Sequence, residues 1–288
     1  MEKKPYYLIQ SVVRTLNIFE YLSINGESSV TEIADYLGEN KTTAHRFLLS
    51  IKHEGYIEQN QKNKKYKLSI KVFEIGNRVM DALDIRTVAK SVIKDLSYKL
   101  SETINLGILN RGDIVYIDKA ISYNNLRLDS PIGGRDPAHS TALGKCILAF
   151  LPESVVDNYV FEYGLIMKTK NTITKAELLY KELALIKEQG YAYDKEEIVM
   201  GVECVAAPIF DSRMNPIAAI SVSIPVNVEN SKKLKKYKDY IVIASKEISN
   251  KLLNVTSLSK SGILLPVSHF EMDCLETPIF SARSPWDK

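Results

Sequence analysis

The clearest hydrophobic pattern of the chain lies between residues 29 and 53, where apolar side chains recur at helical spacing in two short blocks. Ser29 and Glu32 open the first block at capping-box spacing, and Gly38 follows its last apolar residue. The second block predicts a helix from residue 41 to about residue 53, with one apolar face formed by Ala44, Phe47, Leu48 and Ile51. Leu49 lies off this face, where packing under the following segment is one interpretation.

A charged β-hairpin follows the second of these helices. Gly55 ends the helix, and residues 56–59 and 66–68 predict two strands around a turn at 62–65. Between residues 41 and 71 the chain has eight Lys and Arg residues against two Glu residues. Two helices, a tight turn and a basic hairpin are the parts of a winged helix-turn-helix, so this segment indicates a DNA-binding module.

Two further helices flank this module. The first precedes it, with Val12, Leu16, Phe19 and Leu22 spaced to pack on the helix pair. The second is predicted from residue 70 to about residue 83, and its apolar residues are Phe73, Ile75, Val79, Met80 and Leu83. Either a partner subunit or the winged domain itself could cover these residues, and spacing alone favours neither.

The rest of the chain alternates between helical and strand patterns, beginning near residue 84. Helices are predicted at 88–100, 140–151, 174–190 and 231–253, and strands at 104–108, 114–117, 126–128, 191–193, 205–210 and 217–224. This order favours an α+β fold with a mixed or antiparallel sheet. The predicted domains are a DNA-binding domain at 1–70, a linker helix at 71–83, a second domain at 84–254 and a poorly ordered tail at 255–288.

Composition narrows the class of protein. A chain of 288 residues, 45% hydrophobic and 25% charged, suits a globular protein of two domains. No apolar run approaches the roughly 20 residues that cross a bilayer, and no signal peptide is recognisable, so we expect a cytoplasmic protein. Cys146, Cys204 and Cys274 are widely spaced without a CxxC pair, which favours a reducing compartment. We therefore expect no structural zinc, and no motif indicates a cofactor.

Five segments of the chain resemble the IclR family of bacterial transcriptional regulators, and together they span about residues 8 to 254. The matching segments are SVVRTL at 11–16, KTTAHR at 41–46, SETINL at 101–106, AHSTALGK at 138–145 and GVECVAAPI at 201–209. The resemblance implies a winged helix, a linker helix that dimerises and a GAF-like effector-binding domain. It also implies that a small organic molecule, often a carboxylic acid, alters binding to operator DNA. The expected assembly is a homodimer or a dimer of dimers.

The predicted DNA contacts lie on the second helix of the motif and on the hairpin. They are Lys41, Thr42, Thr43, His45 and Arg46 on the helix, and Lys62, Lys64 and Lys65 on the hairpin. The helix residues are expected in the major groove, where Arg46 pairs with a guanine or a phosphate. The hairpin lysines are expected to contact phosphates. A solvated polar face is the alternative for the helix alone, but the hairpin charge and the family resemblance favour DNA binding.

The resemblance also places effector contacts on six residues of the second domain. They are Ala142, Leu143, Asp194, Cys204, Ser221 and Ser223. Small residues and hydroxyls lead into a helix at 138–145, and the free N–H groups of a helix start suit a carboxylate. The two serines are two positions apart on one predicted strand, so their hydroxyls point to the same face. A small organic acid or sugar acid is the expected effector.

Two other functions are compatible with these residues. A cysteine enzyme would use Cys204 as nucleophile, His139 as base and Asp194 or Glu197 as the orienting carboxylate. No catalytic motif surrounds the cysteine, and a cysteine at the start of an apolar strand is more often a small buried hydrophobe, so we do not expect an enzyme. A ligand-independent DNA-binding protein is the third interpretation, although it leaves the second domain without a role. For a regulator, repression is expected over activation.

Overall fold

The computed structural model describes residues 8–81, 84–121, 130–226 and 228–260. The chain divides into two compact units, Met1–Met80 and Asp81–Lys288. The predicted strand at 126–128 lies outside the described residues. Within the described part of the chain, no helix combines the length and apolar character needed to cross a membrane.

The N-terminal unit is a three-helix module with a hairpin and a further helix. Its elements are α1 (Gln10–Asn25), α2 (Val30–Leu37), α3 (Lys41–His53), β1 (Ile57–Gln59), β2 (Tyr66–Leu68) and α4 (Ile70–Asp81). Strands β1 and β2 pair antiparallel, and Tyr66 also bridges to Ser28 ahead of α2. A core that includes Ile18, Ile33 and Leu48 joins the three helices to the hairpin. The predicted winged helix-turn-helix is confirmed.

Side-chain caps set the turn between α2 and α3. The Ser29 hydroxyl accepts a hydrogen bond from the Glu32 N–H at 3.3 Å, and the Glu32 carboxylate accepts one from the Ser29 N–H at 2.6 Å. Gly38 then takes the left-handed conformation, with φ 65°. Asn40 caps α3, since its Oδ1 accepts from the Thr43 N–H at 2.8 Å. The predicted capping box is confirmed, and it fixes the direction in which α3 leaves the turn.

The predicted packing of α1 is partly wrong. Val12 and Leu16 are 52% and 58% exposed, whereas Ile18 and Leu22 are buried. Of the predicted residues, Leu22 is buried and Phe19 packs against the core, so the prediction holds for the second half of α1 and fails at Val12 and Leu16. Leu49 is also exposed, so it does not pack under the hairpin.

Four apolar residues of α4 are exposed. Ile70, Phe73 and Val79 are each more than half exposed, and Ile75 is 40% exposed. The winged domain therefore does not bury Phe73, Ile75 or Val79, whereas the side chains of Met80 and Leu83 lie outside the described residues.

Within the residues that the structure describes, the second unit contains a six-stranded sheet between layers of helices. Its elements are α5 (Asp84–Leu100), β3 (Thr103–Asn110), β4 (Asp113–Ala120), β5 (Arg135–Pro137), a 3-10 turn (Ala138–Ser140), α6 (Ala142–Leu148), α7 (Glu153–Tyr163), α8 (Ala176–Gln189), β6 (Ala192–Lys195), β7 (Val202–Phe210), β8 (Pro216–Pro225) and α9 (Val228–Lys260). The strand order is β5-β4-β3-β8-β7-β6, and neighbouring strands are antiparallel. The predicted α+β class is confirmed.

Helices cover both faces of this sheet. Helices α5 and α9 pack on each other and on the sheet, and Ser245 of α9 donates to the Pro208 carbonyl of β7. Helix α6 packs on the other face, in a core that includes Ala206, Ala219 and Ile147, with α8 behind it. Side chains on both faces of β7 and β8 are therefore buried, so neither strand shows a simple alternation of buried and exposed residues. The candidate cavity lies on the α6 face.

Several element boundaries differ from the predictions. The predicted helix at 140–151 is a 3-10 turn followed by the shorter α6, because Thr141 leaves helical geometry with ψ 146°. Strand β5 and helix α7 were not predicted from the pattern. Helix α9 continues to Lys260, past the predicted end at residue 253, since a helix that is already formed gains one backbone hydrogen bond for each added residue. The rest of the predicted tail, 261–288, lies outside the described residues.

Candidate nucleic-acid interface and ligand cavity

The solvent-facing side of α3 carries the predicted DNA contacts of the helix. Lys41, Thr42, His45 and Arg46 are exposed, whereas Thr43 is half-buried and its N–H donates to the Asn40 cap. The opposite side packs into the core through three buried apolar residues. The core thus holds the helix so that a row of cationic and hydroxyl groups faces outwards, as insertion into a major groove requires.

The turn of the hairpin is built by two asparagines and an acidic residue. The Oδ1 atoms of Asn60 and Asn63 accept backbone N–H groups of the turn, each at 2.9 Å. Their side-chain N–H groups donate to Glu27, at 2.8 and 3.0 Å. These bonds lower the pKa of the Glu27 carboxyl. The turn is therefore held in one conformation before any ligand arrives.

This turn presents the three predicted hairpin lysines. Lys62 and Lys64 are exposed, and Lys64 has a left-handed backbone with φ 59°. Lys65 is partly buried, and its Nζ lies 3.8 Å from a carboxylate oxygen of Glu32, the capping residue of α2. Lys62 and Lys64 are thus better placed than Lys65 to meet phosphates.

A cavity of about 190 Å³ lies in the second unit, on the α6 side of the sheet. All six residues with predicted effector contacts line it: Ala142, Leu143, Asp194, Cys204, Ser221 and Ser223. Eight further described residues also line it: Asn105, Tyr116, Ser130, Asp136, Thr141, Ile198, Val199 and Val202. The volume equals about six water molecules at ~30 Å³ each. Pockets for drug-sized ligands are larger, at roughly 300 Å³ and above, so this cavity suits a small molecule.

Strand register explains why residues far apart in sequence meet at this cavity. Ser221 on β8 pairs with Ala206 on β7 and with Asn105 on β3. Ser223 pairs with Cys204 in the same way. Because side chains alternate along a strand, these positions share the face that α6 covers. A row of small or polar side chains on three central strands leaves the space that bulkier residues would fill.

Hydrogen bonds link three of the lining residues. The Ser223 Oγ accepts from the Asn105 Nδ2 at 3.2 Å and from the Cys204 thiol at 3.2 Å. Burial raises the pKa of the Cys204 thiol, so the sulfur stays protonated and can donate. With two donors directed at its oxygen, the Ser223 hydroxyl keeps its own proton for another acceptor.

Asp194 and a buried ion pair hold the other wall of the cavity. The Asp194 Oδ1 accepts from the Glu197 N–H at 2.7 Å. Burial raises the pKa of Asp194 to about 7, and the nearby Glu197 carboxylate adds to this effect. Lys145 of α6 is fully buried, and its Nζ lies 2.5 Å from Glu197 Oε1 and 3.7 Å from Glu182. This lysine connects α6 to the segment that contributes Ile198 and Val199 to the cavity.

A second carboxyl group lies on the β4–β5 side. Tyr116 donates its hydroxyl to the Asp136 Oδ2 at 2.9 Å. Burial raises the pKa of Asp136. Burial also raises the pKa of the Tyr116 hydroxyl, and the neighbouring Asp136 carboxylate adds to this rise. Among the described residues, the cavity lining therefore includes two carboxyl groups, Asp136 and Asp194, whose pKa values are raised by burial.

The start of α6 fits closely against the 3-10 turn before it. The Thr141 hydroxyl caps α6 by accepting from the Gly144 N–H at 2.9 Å. A Cβ at Gly144 would lie 2.2 Å from the Ala138 carbonyl oxygen, so only glycine allows this approach. Ala142 and Leu143 form the first turn of α6, where backbone N–H groups have no acceptor within the helix.

The geometry does not assemble the residues of the alternative cysteine enzyme. The His139 Nδ1 lies 2.8 Å from the Tyr159 hydroxyl, and its Nε2 lies 3.1 Å from the Ile166 carbonyl. Burial lowers the pKa of this histidine. The Cys204 thiol donates to Ser223 instead. His139 has the contacts of a structural residue, and the Cys204 thiol is not activated.

The sequence reasoning missed several residues of the cavity. Asn105 is a polar residue within an apolar strand. When both faces of the sheet are buried, such a residue indicates a polar cavity, and Asn105 lines one. Tyr116 and Asp136 come together only through the pairing of β4 with β5, which no spacing reveals. The Lys145–Glu197 pair joins residues 52 positions apart.

A winged helix-turn-helix in one unit and a small polar cavity in another define the class of ligand-responsive DNA-binding regulators. Comparisons with known proteins agree with this class. Residues 11–61 match the model "IclR helix-turn-helix domain", and residues 77–250 match "Bacterial transcriptional regulator IclR C-terminal".

Relatives and solved structures extend the match over most of the chain. It is 35% identical to the HTH-type transcriptional regulator KdgR of Escherichia coli K12, over 86% of this chain and 94% of that protein. The Transcriptional repressor IclR of the same organism is 29% identical, over 84% of this chain and 89% of that protein. The crystal structure of the Thermotoga maritima IclR is similar with a TM-score of 0.72 at 32% identity, covering 84% of this chain and 98% of that one.

The chain belongs to the IclR family of bacterial transcriptional regulators. It is a DNA-binding transcriptional regulator with an IclR-type effector-binding domain.

Proposed function

We propose that this regulator acts in the cytoplasm as a repressor whose affinity for operator DNA changes when a small organic acid or sugar acid occupies the cavity. The observation that carries the proposal is the convergence of all six predicted effector residues on one small cavity. In this proposal residues 1–70 bind DNA, residues 71–83 link the two domains, and residues 84–254 bind the effector.

On the DNA side, the α3 residues enter the major groove and the hairpin lysines contact phosphates. The caps and the core support this role because they hold both elements before DNA binds. The helix set is Lys41, Thr42, Thr43, His45 and Arg46, and the hairpin set is Lys62, Lys64 and Lys65.

Replacement of Arg46 tests the DNA surface. Arg46→Ala removes an exposed cation from α3 without touching the core, so operator affinity is expected to fall about tenfold while thermal unfolding stays unchanged. Arg213→Ala, an exposed arginine in the turn between β7 and β8, is the matched control. A mobility-shift assay in which both variants bind operator DNA like the wild type would refute the assignment.

On the effector side, the lining serines receive the ligand. Both serines line the cavity, and the Ser223 oxygen already accepts two hydrogen bonds, so both hydroxyl groups donate their protons to a carboxylate. Replacing both with alanine is expected to weaken a carboxylate ligand about tenfold or more, because its oxygens lose two donors. Isothermal titration with the acid that binds the wild type measures this change. Unchanged affinity in the double variant would place the site elsewhere.

The functional assembly is a homodimer or a dimer of dimers. The exposed apolar residues of α4 support pairing through the linker helix, because a row of exposed Ile, Phe and Val side chains is costly in water. Sedimentation equilibrium of the wild type and of a Phe73→Glu variant tests this arrangement: the variant is expected to dissociate towards monomer.

A further inference from the structure

One lining residue of the cavity has a polar atom without a partner. Asn105 is only 4% exposed, and its side chain lines the cavity. Its Oδ1 is buried and has no hydrogen-bond partner among the residues that the structure describes. An amide oxygen left unpaired in this way costs free energy unless a ligand or water supplies a donor.

Within the described part of the chain, the hydrogen bonds around Asn105 pair its amide nitrogen and leave its amide oxygen without a partner. Its Nδ2 donates to the Ser223 Oγ at 3.2 Å, and its Oδ1 has no hydrogen-bond partner among the described residues. The Ser223 oxygen also receives the Cys204 thiol, so the Ser223 hydroxyl proton is free to donate. The strand pairing of β3 with β8 therefore places an acceptor, Asn105 Oδ1, beside a donor, the Ser223 hydroxyl.

We propose that Asn105 is a specificity-determining residue that reads a hydroxyl group on the effector. The ligand hydroxyl donates to Asn105 Oδ1, while an acidic oxygen of the same ligand accepts from Ser223. The effector is then a hydroxy acid rather than a plain carboxylic or keto acid. This inference rests on the proposed function, since it assumes that an organic acid occupies the cavity.

The discrimination arises from the unpaired oxygen. A hydroxy acid satisfies it, whereas an acid of the same length without the hydroxyl leaves it buried and unpaired. Loss of one such hydrogen bond changes affinity by about tenfold or more. Leucine at position 105 has a similar shape and no acceptor, so it removes the penalty and the preference together.

Matched acid pairs test the proposal on the full chain. Isothermal titration compares lactate and glycerate with propionate, and gluconate with hexanoate, for the wild type and for Asn105→Leu. We expect the wild type to bind the hydroxylated acid of at least one pair about tenfold more tightly than its partner. In Asn105→Leu this ratio falls at least fivefold, because the non-hydroxylated acid no longer leaves a buried acceptor unpaired.

Two further variants separate recognition from folding. Asn105→Asp keeps a side-chain oxygen acceptor, and we expect it to keep the ratio even where both affinities fall. Asn158→Leu makes the same replacement at an exposed position of α7 and should behave like the wild type.

The outcomes separate the two levels of the proposal. Three results would each overturn the role of Asn105 alone. The wild type could bind acids without preferring the hydroxylated one, or Asn105→Leu could keep the wild-type ratio. The third result is pyruvate binding tenfold more tightly than lactate. Failure of every acid to bind the wild type would overturn the proposed effector class as well.

Discussion

The buried ion pair behind the cavity gives a prediction about stability. Lys145 is fully buried, its Nζ lies 2.5 Å from Glu197 Oε1, and Glu197 itself is only 6% exposed. Lys145→Met keeps the length of the side chain but leaves the Glu197 carboxylate buried without its cation. Breaking a buried pair on one side costs about 3–5 kcal/mol. For a domain of this size each kcal/mol shifts the melting temperature by roughly 2–4 °C, so we expect a loss of about 6–20 °C at pH 8.

The pH dependence of this loss identifies its cause. Burial already raises the pKa of Glu197 in the folded protein, and Lys145 opposes that rise, so removing the lysine raises the pKa further. A carboxyl group with a raised folded-state pKa destabilises the protein above that pKa, and the penalty disappears as pH falls and the group takes up a proton. The melting-temperature deficit of Lys145→Met should therefore be smaller at pH 5.5 than at pH 8.

A double-mutant cycle provides the assay. Thermal unfolding followed by circular dichroism compares Lys145→Met, Glu197→Gln and the double variant at both pH values. We expect the double variant to be more stable than Lys145→Met, because glutamine leaves no buried charge. The reasoning is wrong if Lys145→Met unfolds like the wild type, if its deficit is equal at both pH values, or if the two single effects simply add.

Two other predictions concern charge at the binding surfaces. Replacing Lys62 and Lys64 with alanine removes two exposed cations, so the slope of log affinity for operator DNA against log salt concentration should become shallower by about 1.8, at ~0.9 per phosphate contact. Binding isotherms between 50 and 200 mM salt measure this slope. An unchanged slope would exclude these lysines from the interface. Because the pKa of Asp194 is about 7, its carboxyl group is mostly neutral at pH 6 and mostly ionised at pH 8. An anionic effector should therefore bind more tightly at pH 6, and Asp194→Asn should remove this difference. If the pH dependence survives in Asp194→Asn, another group causes it.

The DNA-binding unit was predictable from sequence because its signals are local. The capping box, the left-handed glycine and the apolar face of α3 each depend on residues within one or two helical turns. The exposed stripe on α1 shows the limit of this reasoning. Val12 and Leu16 share the spacing of Leu22, yet they are exposed while Leu22 and the unpredicted Ile18 are buried. Spacing shows that a helix has an apolar side, but packing partners decide which residues of that side are buried.

The cavity was only partly predictable because most of it depends on strand pairing. The strands themselves followed from alternation, but the partners of β3, β4 and β8 are set by contacts far apart in sequence. Family resemblance indicated six lining residues, whereas Asn105 and Asp136 could be identified as lining residues only from the pairing of the strands. Helix α7 could have been found, since Val156 and Tyr159 are buried at helical spacing.

The most direct test of the account is an operator-binding isotherm measured with and without effector. Duplexes selected by the full chain from a random pool supply the operator, and acids that bind the protein in titration supply the effector. We expect the selected sequence to bind at least 100-fold more tightly than random duplex, and a saturating acid to change that affinity at least fivefold. A selection that enriches no sequence, or an operator affinity that stays the same when the cavity is occupied, would contradict the account.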